Sequence, residues 1–112
     1  MTIRFGLKSE TIDKICAVLA QHPQVEQAIL YGSRAKGNYK HGSDIDMTLV
    51  GGAALTTPVL YQIIDELDEL LLPYTIDLSI LRDIHDADVR AHIDRVGVMF
   101  YDHAQMALAG QA

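Results

Sequence analysis

The stretch from Gly32 to Asp46 reads GSRAKGNYKHGSDID. A Gly-Ser pair, a ten-residue spacer and then Asp44-x-Asp46 at the head of an apolar run put two kinds of chemistry side by side. The small residues let backbone amides approach an anion. The two carboxylates follow at a spacing that aims both at one point. Oxygen-only donors favour a hard cation, and Mg²⁺ takes one or two carboxylates while water and phosphate complete its octahedron. Both halves together imply a nucleoside triphosphate carried with magnesium.

The flanking sequence places this motif between strands. Val25 to Tyr31 ends in the apolar run AILY and breaks at Gly32, which predicts a strand delivering the motif. A second strand is predicted from about Asp44 to Val50, with Asp44 and Asp46 on one face and Ile45, Met47 and Leu49 turned inward. Like charges about 4 Å apart repel by roughly 4 kcal/mol at an effective dielectric near 20, so the pair is unfavourable unless a cation sits between them.

Before the motif, Ser9 is expected to cap a helix carrying Ile12, Ile15, Cys16 and Leu19 at helical spacing, with Pro23 ending it after His22. Beyond the motif, Thr57 as N-cap and Pro58 at the first helical position open a helix with an apolar stripe of Leu60, Ile63, Ile64, Leu67 and Leu71. Its other face, Asp65, Glu66, Asp68 and Glu69, is expected to be solvated. Tyr74 to Leu81 alternates as a third strand, with Ile76, Leu78 and Ile80 on one face and Thr75, Asp77 and Ser79 on the other. A last helix from Asp83 or Asp86 to Val96 turns Val89, Ile93 and Val96 inward, and an apolar GVMFY segment and a small-residue tail follow. The expected architecture is α/β, in the order α-β-β-α-β-α, with one domain over residues 1–112.

The helix after the second strand has the length of a crossover, which sets the third strand parallel beside the second and lets Asp77 join Asp44 and Asp46. Three carboxylates can hold two Mg²⁺ ions, one activating an attacking hydroxyl and one neutralising a leaving pyrophosphate. Asp77 is then on the nucleophile side, able to accept the hydroxyl proton. Ser33 and nearby amides offer hydrogen bonds to phosphates. Arg34 can fork onto phosphate oxygens, and Lys36 and Lys40 add mobile charge.

The formal net charge of −6 argues against direct nucleic-acid binding by general attraction. Residues 1–43 hold six Lys/Arg against three Asp/Glu, whereas residues 44–112 hold three against twelve, so basic character gathers at the motif. The single cysteine, Cys16, reads as a small buried hydrophobe. No signal-like or membrane-length apolar run is present, and a soluble protein of the cytoplasm is expected. The five histidines show no zinc spacing and are read as surface or cap residues, His41 being the one nearest a ligand. Among the tyrosines only Tyr39 falls in the ligand loop, and the others read as core or boundary residues.

These residues resemble the nucleotidyltransferase superfamily to which DNA polymerase β belongs. The G-S-R-A-x-G and S-D-I-D wording and the ten-residue spacing look like the minimal nucleotidyltransferases encoded beside HEPN-domain proteins. The likeness covers Val25 to Leu81 and, more loosely, the GVMFY segment. It implies a polymerase β-like fold with a mixed three- to four-stranded sheet. In such pairs the HEPN protein is an RNase toxin, and the nucleotidyltransferase is the antitoxin that transfers AMP from ATP to a toxin tyrosine. It therefore implies Asp44, Asp46 and Asp77 as catalytic metal ligands for two Mg²⁺ ions. It also implies Gly32 and Ser33 as triphosphate-binding, with Arg34, Lys36, Lys40 and Ser43 completing the expected nucleotide-binding set, and a HEPN toxin in a hetero-oligomer as the expected partner. Lys36 stands where many relatives carry Arg. Two further expectations stand beside this one: a binding module that silences its partner by contact, and a small-molecule nucleotidyltransferase of the aminoglycoside-modifying kind, which the short chain disfavours.

Overall fold

Two glycines and a short polar loop interrupt what is otherwise a run of strand and helix patterns, and the computed structural model follows that punctuation over residues 3–105. The strands are β1 (Ile3–Arg4), β2 (Leu7–Lys8), β3 (Gln27–Tyr31), β4 (Ile45–Val50), β5 (Ile76–Ile80) and β6 (Val98–Asp102). The α-helices are α1 (Ser9–Ala20), α2 (Ser33–Lys36), α3 (Thr57–Asp68) and α4 (Ala87–Val96), and a 3₁₀ turn occupies Leu81–Asp83. The small-residue tail expected at the C-terminus lies beyond Gln105, outside the described residues.

The main sheet has the strand order β5-β4-β3-β6. Strand β3 is antiparallel to both β4 and β6, while β4 and β5 run parallel with α3 as their crossover, as the length of that helix requires. The GVMFY segment becomes β6, which supplies the fourth strand. One face of the sheet is apolar. Ala28, Leu30, Ile45, Met47, Leu49, Leu78 and Ile80 join Ile15 and Leu19 of α1 and Ile63 and Leu67 of α3 in a single buried cluster. This core holds the motif strand rigid, because β4 is buried along nearly its whole length.

Several expected boundaries shift for local reasons. Lys8, not Ser9, occupies the cap of α1 and makes no side-chain cap bond, because the preceding β1–β2 hairpin delivers the chain already extended at Lys8. That hairpin turns on Phe5 and Gly6, both at positive φ (58° and 73°), the twist that two-residue hairpins favour. Its strands of two residues are too short to show a period. Helix α1 ends at Ala20, before His22, and Thr56 replaces Thr57 as the cap of α3. Asp86 caps α4 by accepting from the amides of Asp88 and Val89 at 2.9 and 3.3 Å. The acidic face of α3 is not wholly solvated: Glu66 Oε1 lies 2.9 Å from Nε2 of His22, which is buried, tying the end of α1 to α3. Among the described residues, no helix is long and apolar enough to cross a membrane.

Candidate functional site

The face of the sheet opposite α1 and α3 carries the polar side chains of alternate residues, and the strand register lines three of them up. Tyr31 on β3 pairs with Asp46 on β4, and Asp46 pairs with Asp77 on β5. One step further in, Ser79 donates to the buried Thr48 hydroxyl at 3.0 Å, so the row behind the carboxylates is hydrogen-bonded and closed. Helix α4 lies over this face. Between them is a cleft of about 420 Å³ lined by Tyr31, Gly32, Asp46, Asp77, Asp88, Val89 and His92.

Gly32 shapes the rim. Its backbone has φ 75° and ψ −157°, a region that only glycine occupies without strain. A β-carbon there would also strike Oδ2 of Asp46, so the carboxylate packs directly against the glycine. The chain then turns into α2: Gly32 O accepts from the Lys36 amide at 3.1 Å, and Gly37 closes the turn at φ 86° with its amide on Ser33 O. Ser33 opens this helix directly after Gly32.

Burial pushes the Asp46 carboxyl above its ordinary value, Asp77 and Asp44 push it further, and His92 opposes them. The acids are therefore close enough to feel one another. Asp44 departs from expectation in one respect. It lies just ahead of β4 and is exposed, so the strand pleat does not fix its side chain as it fixes that of Asp46. In donor chemistry and charge the carboxylates fit a divalent cation. Among the described residues, though, no group of three or more His, Cys, Asp or Glu side chains is gathered so as to hold a metal ion.

The basic residues of the motif are not brought to this cleft. Arg34, expected to face phosphate, is buried. Its Nε and Nη2 donate to Ser43 O at 3.1 and 2.8 Å, and Nη1 donates to Phe5 O at 2.8 Å. Tyr39 and Tyr74 flank the guanidinium, with their ring centroids 5.3 and 4.9 Å from its central carbon. Arg34 thus ties the motif loop to the N-terminal hairpin. Ser43 Oγ accepts from the Lys40 amide at 2.8 Å, again a contact within the loop. Lys36 and Lys40 are exposed. Lys40 and His41 line a separate hollow with Gly6, Arg34, Tyr39, Gly42 and Tyr74.

Two cleft residues have no signal in the local sequence. Tyr31 is half-buried and its phenol is pushed up by burial, with Ser79 acting in the opposite sense and Asp77 and Asp46 adding to the rise. Pairing β3 with β4 in register finds it. His92, read as a surface or cap residue, accepts a hydrogen bond through Nε2 from the Gly32 amide at 3.2 Å and meets the Tyr31 ring edge-on. Only the placement of α4 over the sheet reveals it.

A four-stranded mixed sheet bearing adjacent strand carboxylates below a Gly-Ser turn is the frame of a nucleotidyltransferase. Residues 13–106 match the polymerase beta nucleotidyltransferase family, and the chain belongs to it. Among solved structures, the fold is similar to that of a toxin–antitoxin complex with AMP-PNP, at 22% identity and TM-score 0.66 over 84% of this chain and 75% of that one. It is also similar to the MntA–HepT toxin–antitoxin complex, at 19% identity and TM-score 0.63 over 88% and 75% of the two chains. A third likeness is to a complex of tri-AMPylated Shewanella oneidensis HEPN toxin with MNT antitoxin, at 19% identity and TM-score 0.63 over 90% and 77%. At these identities the likeness is one of fold. No curated protein matches the chain.

Proposed function

We propose that this chain is a magnesium-dependent adenylyltransferase that modifies a tyrosine of a cognate HEPN RNase toxin and so neutralises it, acting as the antitoxin of the pair. The observation that carries this is the register of Asp46 against Asp77 on neighbouring parallel strands, with Gly32 packed on Asp46 at the rim of an open cleft. The neighbouring folds belong to antitoxins seen with a HEPN toxin that carries AMP in one case and with AMP-PNP in another, which supports the same activity here.

In this scheme Gly32 and Ser33 hold the triphosphate at the turn, and Lys36 and Lys40, exposed and outside the cleft lining, act only through longer-range attraction. Arg34 and Ser43 act from behind, by fixing the loop. Asp44, Asp46 and Asp77 are the residues that would hold Mg²⁺, which when bound offsets their repulsion and the charge of the phosphates. Asp77, on the outer strand and exposed, faces the incoming acceptor and takes the proton of its hydroxyl. The acceptor oxygen bonds to the α-phosphorus, the bond from that phosphorus to the bridging oxygen breaks, and pyrophosphate leaves. ATP labelled at the α-phosphate should label the partner protein in the presence of Mg²⁺, and ATP labelled at the γ-phosphate should leave it unlabelled. Equal labelling from both would exclude nucleotidyl transfer.

Neutralisation by contact alone is favoured by one observation: Asp44 is exposed ahead of β4, so the strand does not fix it beside Asp46 and Asp77. Replacing Asp44 and Asp46 by Asn separates the two. If transfer is what protects, the doubly substituted protein no longer rescues cells from the toxin while still binding it.

A further inference from the structure

The amide of Gly32 is the first donor of the motif turn, and it is already engaged. It donates to Nε2 of His92, 3.2 Å away, a residue of α4, the helix that forms the other wall of the cleft. Accepting that bond fixes the imidazole tautomer, with its proton on Nδ1. The ring is held on a second side by its edge-on contact with Tyr31, at 6.2 Å between centroids. An amide in a half-closed cleft needs a partner, because leaving it unpaired costs most of its desolvation energy. His92 provides that partner from the far side of the cleft.

Resting on the nucleotide-binding role given to the cleft above, we infer that His92 is a positioning residue that occupies the Gly32 amide in the nucleotide-free chain and yields it to a phosphate oxygen when the nucleotide enters. A charged oxygen is the better acceptor for a backbone amide, so the exchange runs toward the nucleotide, and the imidazole is released from the motif turn. Binding therefore proceeds against one neutral hydrogen bond, and it uncouples α4 from the motif turn that follows β3. The first helical turn of α4 brings Asp88 and Val89 to the same cleft. The released wall is thus the one beside Asp77, where the acceptor must enter.

Two measurements on the whole chain test this, both with AMP-PNP and Mg²⁺ as the probe. Nitrogen-15 spectra of the wild-type protein should show the His92 Nε2 and Gly32 amide signals moving together on saturation, as the bond between them is replaced. His92→Phe keeps a ring beside Tyr31 but has no acceptor, and it should bind the probe about two- to tenfold more tightly, the worth of one neutral hydrogen bond. His92→Gln, which restores an acceptor, should return affinity toward that of the wild type. A saturated complex in which His92 Nε2 has not moved, or a Phe variant that binds no more tightly, overturns the inference and leaves the proposed function standing. A wild-type protein that binds no nucleotide overturns both.

Discussion

Asp46 concentrates the tension in this molecule, because it is partly buried between two other acids yet stands in register beside one of them. Its folded carboxyl holds a proton to higher pH than the unfolded chain does. Between the ordinary aspartate value and the raised one the folded state binds more protons, so stability falls as pH rises through that window and the penalty is fully present above it. Asp46→Asn should therefore raise the thermal midpoint of the metal-free protein at neutral pH by a few degrees and flatten that decline, while abolishing transfer. A lower midpoint would contradict the assignment of strain to this carboxyl. Adding Mg²⁺ should stabilise the wild type and leave the Asn variant nearly unchanged. Gly32 is the complementary case. Gly32→Ala places a β-carbon against Asp46 on a backbone at φ 75°, and denaturant titration should show a loss of about 1–3 kcal/mol together with loss of nucleotide binding. Both residues were legible in the sequence as motif positions, since spacing alone marks them. What spacing does not convey is that one packs on the other.

The motif loop is an element held by a residue of its own. Arg34 joins Ser43 O to Phe5 O and lies between Tyr39 and Tyr74, so the motif turn is braced from the N-terminal hairpin. Lysine cannot make the same fork of bonds. Arg34→Lys should cost about 2–4 kcal/mol of stability and make residues 37–43 a site of early proteolysis, with nucleotide affinity per folded molecule nearly unchanged. Were Arg34 a phosphate ligand, affinity would fall instead and stability would hold. The difference between expectation and structure has a plain origin. Locally, an arginine in a Gly-Ser loop reads as an anion ligand, whereas it donates to the Ser43 carbonyl of its own loop and to Phe5 in a hairpin too short to show a pattern, with Tyr74, far along the chain, on one flank. The parallel pairing of β4 with β5 was legible, because a helix of crossover length between two strands leaves little choice of geometry. Asp77 came into place beside Asp46 by that argument alone.

At the scale of the whole molecule, the sheet buries one face under α1 and α3 and leaves the other as an open cleft beneath α4. That division explains which site residues the sequence could supply. Asp46 and Asp77 announce themselves by residue type in apolar strands, and Asp44 by its place just ahead of one, but Tyr31 and His92 enter the cleft only once β3, β4 and α4 are set against one another. The cleft has two exposed carboxylates, Asp77 on the outer strand β5 and Asp88 on α4. Under the proposed function, the hydroxyl of the partner protein enters beside Asp77. The measurement that tests this most directly is the intact mass of the cognate HEPN protein after incubation with this chain, ATP and Mg²⁺. The partner should gain mass in steps of one adenylyl group, on tyrosine, and should gain none with the Asp44→Asn, Asp46→Asn protein. A partner that stays at its unmodified mass with the wild type while its RNase activity is nonetheless silenced would contradict transfer as the means of neutralisation.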